Sequence, residues 1–173
     1  MDLERMSPAE RGRRMAFLVA ERMVAAPRGR LSALLDEDPA LRGLGASLIT
    51  PPESDGIRDE LYRRTGRADE SPLGGSRARG LTLTAAVAGA AQHLSRLPVD
   101  EDDEWYCLCG KEPGVGIVRM PSCPGPDPIR ALCAFDREIV FLGSARGGIA
   151  VIDMMWDTWG PRSVECDLVL GDG

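Results

Sequence analysis

Four of the five cysteines fall within "WYCLCGKEPGVGIVRMPSCPGPDPIRALC", residues 105–133, and a thiolate can act either as a metal ligand or as a nucleophile. Cys107, Cys109, Cys123 and Cys133 are therefore the candidate ligands. Read as a strand, the C-x-C pair sends both thiols to one face at a spacing of about 6.6–7 Å. That is wider than two ligands of one zinc stand, so a zinc site needs the chain to curl at Gly110, with Cys123 of the proline-rich loop as a third ligand. Cysteine also packs as a small hydrophobe, and this spacing favours that role. No cofactor is expected, with zinc as the possible metal.

A cysteine nucleophile would need a lowered pKa and an imidazole within reach. His93 is the single histidine, and no second motif stands beside it. Asp153 and Asp157 form a possible carboxylate pair, but an aspartate there reads more simply as a strand end capping a turn. "GSARGG", residues 143–148, lacks the lysine and hydroxyl of a phosphate loop and reads as a turn between two strands. Trp156 and Trp159, near a turn, either plug the core or anchor a partner.

The elements that must position these residues divide the chain in two. "SPAE", residues 7–10, is a capping box with proline at the first helical position. Met15, Leu18, Val19 and Met23 follow at helical spacing as a core stripe, with Pro27 and Gly29 as the stop. Residues 30–49 read as two short helices, the second capped by Asp38, and residues 54–66 as another. Residues 67–80 read as a mobile, Gly/Ser/Arg-rich loop. A further helix turns Val87, Ala91, Leu94 and Leu97 toward a core. From residue 105 to 170 the chain changes to short apolar runs, "IRALCAF" among them, that read as strands. Helices first and strands after predict one compact α+β domain over residues 1–173, with a mainly antiparallel sheet.

Composition narrows the function classes. Net charge is −6, which disfavours a nucleic-acid backbone and favours a basic or neutral protein partner. Of 21 basic residues only Lys111 is lysine, and asparagine is absent, so no N-glycosylation site exists. This bias suggests a GC-rich coding genome. No apolar run reaches the roughly 20 residues of a membrane span, and no signal sequence is read, so a cytoplasmic protein with reduced thiols is expected. The acidic run Asp100, Glu101, Asp102, Asp103 and Glu104 is the candidate steering patch, with Trp156 and Trp159 as candidate anchors.

Residues 138–157, "EIVFLGSARGGIAVIDMMWD", resemble the central strand–turn–strand of the SUKH superfamily. The features are an apolar strand ending in Gly143, a turn with Gly147 and Gly148, and a strand ending in Asp153. That superfamily includes bacterial toxin-immunity proteins, fungal cell-wall regulators and accessory proteins of large DNA viruses such as cytomegaloviruses. The resemblance implies a non-enzymatic protein that binds and neutralises another protein.

Overall fold

Ser7 opens the first helix as the capping box requires: its hydroxyl accepts from the Glu10 amide, and its own amide donates to the Glu10 carboxylate at 2.8 Å. In the computed structural model this helix, α1, runs Pro8–Glu37. The structure describes residues 7–64, 75–98, 103–109, 113–144, 147–157 and 160–169, with residues 113, 155–157 and 160–162 described by backbone alone.

Pro27 and Gly29 do not end α1, contrary to the sequence expectation. Proline removes one helical hydrogen bond and crowds the preceding turn. Here that cost is offset by burial of Val24, Leu31 and Leu35 on both sides of Pro27, and by the Arg28 guanidinium, which donates to the Gly114 carbonyl at 2.6 Å. Asp38 then ends α1 and caps α2 (Pro39–Gly43) as expected, accepting from the amides of Ala40 and Leu41.

Next come β1 (Ser47–Ile49), α3 (Glu53–Arg64), β2 (Gly75–Leu81) and α4 (Leu83–Leu94). β1 lies where a helix was expected; its Ser47, Leu48 and Ile49 pair with residues 117–119. β2 occupies much of the stretch that composition assigns to a mobile loop, while residues 67–74 of that stretch lie outside the described residues. It forms because alternate side chains find charge partners across the strand pair: Arg77 with Asp167 at 2.6 Å and Arg79 with Glu165 at 3.1 Å. In α4, Val87, Ala91, Leu94 and the following Leu97 are buried as predicted.

The second half contributes β3 (Trp105–Cys109), a 3-10 turn (Pro113–Val115), β4 (Ile117–Met120), α5 (Pro126–Phe135), β5 (Ile139–Ser144), β6 (Ile149–Asp157) and β7 (Gly160–Val169). "IRALCAF" is thus helical, a second correction: Gly125 caps it, Pro126 takes the first position, and Ile129, Leu132 and Cys133 bury at i, i+3 and i+4. All strand pairs are antiparallel, in the order β1-β4-β3-β5-β6-β7-β2, which makes the α+β arrangement plain.

Period-two alternation divides the apolar residues between the two faces of the sheet. Trp105, Cys107 and Cys109 join the main core with buried residues of α1, α4 and α5. Tyr106 and Leu108 turn to a smaller cluster with Leu61 of α3, Phe141 and Val151. Gly147 and Gly148 lie between β5 and β6 as the sequence predicts. A side chain on Gly148 would come within 2.5 Å of the Val169 carbonyl oxygen, so glycine there permits a close backbone approach.

Candidate interaction surface

The described residues of α1 before Val24 are exposed throughout. Sixteen helical residues at 1.5 Å each project about 24 Å from the body before Val24 reaches it beside Gly114. The projecting segment carries large exposed apolar side chains: Met15 is 57% exposed, Phe17 55%, Val19 52% and Met23 62%, with Leu18 at 40%. These include the four residues expected in the core, and the expectation fails because the helix outruns the layer it packs on. Large apolar residues lie on several sides of this segment, between the charged side chains of Arg11, Arg13, Arg14, Glu21 and Arg22. Arg14 shields only part of it, its guanidinium carbon 5.9 Å from the centre of the Phe17 ring. The exposed apolar side chains amount to about 500 Å², a patch size that marks interaction sites.

The acidic run is described only at its end, since Asp100, Glu101 and Asp102 lie outside the described residues. Glu104 accepts from the Tyr106 hydroxyl at 2.7 Å and stands 3.6 Å from Arg119. Burial, then the Glu104 carboxylate, pushes the Tyr106 pKa up to about 12. Trp159 also lies outside the described residues, and Trp156 is placed by its backbone opposite Pro161 in the β6–β7 hairpin.

Strand register separates these two groups. Trp105, next to Glu104, pairs with Ser144 at one end of β5, whereas Asp153 pairs with Ile139 at the other and Trp156 lies three residues further out. Eight residues of strand separate them, about 27 Å. Glu104 and Trp156 therefore lie at opposite ends of the sheet.

The cysteines are placed in and around the core. Cys107 and Cys109 are buried with their Sγ atoms 3.4 Å apart, closer than the strand spacing predicts because the two side chains lean together. Burial, followed by the neighbouring thiol, raises the Cys107 pKa well above the ordinary thiol range. Burial also raises Cys133, on α5, to about 12 and Cys166, on β7, to about 11. Cys123 is half-buried in the loop before α5. Among the described residues no three His, Cys, Asp or Glu side chains are grouped as a metal ion would require. His93 places its Nε2 3.1 Å from the Val169 carbonyl oxygen, which fits an Nε2–H donor.

Asp153 is exposed within β6 and does not end the strand. With Arg77, Arg79, Glu165 and Asp167 it surrounds a shallow depression of about 360 Å³ floored by Ile139, Phe141 and Val151. The sequence signal for this feature is the alternation of Arg77 and Arg79 matched by that of Glu165 and Asp167. A smaller pocket of about 240 Å³ lies between α3 and the sheet, lined by Ile57, Leu61, Arg64, Tyr106 and Ser144 among others.

Comparisons with protein-family models, curated proteins and solved structures return no match to this chain.

Proposed function

We propose that the chain is a non-enzymatic module that binds and neutralises another protein. The observation that carries this reading is the projecting apolar half of α1, with Met15, Phe17, Val19 and Met23 each more than half exposed. Burying the exposed half of such side chains contributes roughly 1 kcal/mol or somewhat more apiece, so a protein surface that covers them gains affinity without any chemistry at the site. A helix of this kind serves the helix-in-groove mode of recognition. The SUKH resemblance gives the biological form: a toxin-immunity protein, or a viral accessory protein acting on a host factor.

Net charge −6 favours a basic partner, steered by Asp100–Glu104 and held by Trp156 and Trp159. Five unpaired cysteines are compatible with a reducing compartment, the cytoplasm. No helix of the described residues is long and apolar enough to cross a membrane.

The test is site-specific photo-crosslinking in the native host, with the crosslinker at Val19 and, as a control, at exposed Asp59 on α3. A discrete protein adduct at Val19 and none at Asp59 is expected. Adducts equal at both positions, or none at either, would overturn the reading.

A further inference from the structure

The projecting helix carries a line of side chains that reads the same in both directions. Gly12, Met15, Val19, Met23 and Ala26 are spaced 3, 4, 4 and 3 residues apart, so small–Met–Val–Met–small is symmetric about Val19. At 100° per residue the five fall within an arc of about 80°, and Val24, Leu31 and Leu35, which face the body, are centred about 140° away. All five are exposed, and nothing lies within 4 Å of where a Gly12 side chain would begin.

A two-fold interface must be self-complementary: if residue i meets j, then j meets i. The palindromic line satisfies that condition for two antiparallel copies with their axis at Val19. Val19 then meets its own counterpart, Met15 meets Met23, and Gly12 meets Ala26. Ala16 and Ala20 along one flank permit close approach of the two helices. Because the line points away from the body, the two bodies sit at opposite ends of the helix pair and do not collide.

We infer that the projecting half of α1 pairs with the same segment of a second copy, forming an antiparallel homodimer centred on Val19. This rests on the reading of that segment as a protein-binding surface: the second copy covers it in the free protein, and the neutralised partner displaces that copy. Contact along the line and its Leu18 and arginine-stem flanks buries on the order of 1,000 Å² in total, the lower bound of a specific interface. A membrane surface fits less well, because the apolar line is a narrow arc of about 80° with Arg11 and Arg22 along one edge, too little apolar surface to lie on lipid. A dimer of this kind leaves both ends of the sheet, with Glu104 at one and Trp156 at the other, uncovered.

The experiment is sedimentation equilibrium of the full chain from about 1 to about 200 µM, with Val19→Asp as the variant. Dimer is expected to dominate by the upper end, and Val19→Asp, at an exposed position, should keep the fold by circular dichroism while weakening association at least about 100-fold. Orientation is read by disulfide trapping in a Cys123→Ser background: Val19→Cys should link to itself, and Met15→Cys should link to Met23→Cys but not to itself. A monomer throughout the range, a dimer indifferent to Val19→Asp, or a Met15→Cys self-link would each overturn the inference. Should the chain remain monomeric yet still give the Val19 crosslink to a different protein, only the second-copy inference falls. Binding of the exposed line to anionic vesicles in place of protein would overturn both.

Discussion

Cys107 and Cys109, two residues apart on β3, hold their Sγ atoms 3.4 Å from each other in the core beneath α5. Burial keeps both thiols out of solvent, and the raised pKa of Cys107 keeps it protonated at neutral pH. A reagent that attacks thiolates should therefore find little to react with in the native protein. Native labelling with a thiol-specific disulfide reagent is expected to modify one cysteine rapidly, half-buried Cys123, against five after denaturation. Rapid native labelling of Cys107 or Cys109, identified by peptide mass, would contradict the buried-thiol account and reopen a chemical role for the pair.

The same burial sets an alkaline limit on stability. Cys133 and Cys166 have folded-state pKa values of about 12 and 11, and Tyr106 about 12, all above their unfolded values. Below the unfolded pKa both states hold these protons equally, so the stabilising preference for the neutral form is fully present. Above about pH 9 the unfolded thiols release protons first, and stability falls as pH rises toward the folded values. The melting temperature is expected to be flat from pH 7 to about pH 8.5 and to decline beyond it. Cys166→Ala should make the decline shallower, and an unchanged slope would refute its contribution.

Much of the fold is legible in the chain, because its local signals agree with one another. The capping box at Ser7, the Asp38-Pro39 start of α2 and the alternation in Trp105–Cys109 each depend on neighbours one turn or one strand away. The misreadings involve choices that only tertiary contacts settle. A seven-residue apolar run such as residues 129–135 suits a strand or a buried helix, and the deciding signal was Pro126 after Gly125, the signature of a helix start. β2 lacks an apolar alternation, and its Arg77 and Arg79 become informative only once Asp167 and Glu165 lie opposite them. The α1 stripe has the spacing of a core face yet lies exposed, since periodicity reports a face and not what covers it.

Arg64 stitches α3 to the sheet. Its guanidinium donates to the carbonyls of Ser144 at 2.6 Å and Gly147 at 2.8 Å, with only 5% of the side chain exposed. Arg64→Ala leaves those acceptors without their charged donor, a loss of about 3 kcal/mol. Urea unfolding should show a lower midpoint at an unchanged slope. A midpoint shift worth less than about 0.5 kcal/mol would mean that water replaces the guanidinium at no cost.

Gly148 tests how tightly the sheet end packs on the turn after α4. An added methyl meets the Val169 carbonyl oxygen at 2.5 Å and Leu97 at 2.8 Å, and of these two only the leucine side chain can move. Gly148→Ala is expected to destabilise by about 1–3 kcal/mol through overpacking. Gly56→Ala, within α3 and with nothing within 4 Å, serves as the control and should not destabilise. Equal effects at the two positions would point to backbone entropy rather than the close approach.

Pro27 sits where the projecting half of α1 joins the body, three residues beyond the first buried side chain, Val24. Proline has no N–H, so the Met23 carbonyl lacks its helical donor at the junction. Pro27→Ala supplies that donor and removes the ring from the preceding turn, and it leaves the buried residues Val24, Leu31 and Leu35 unchanged. Stability should rise by about 1 kcal/mol or more, seen as a higher melting temperature. Slower amide exchange at residues 24–30 should accompany it, because the junction no longer opens at a missing bond. A lower melting temperature would show instead that the local geometry proline sets at the junction is what brings Arg28 to the Gly114 carbonyl, and that the substitution breaks the 2.6 Å contact.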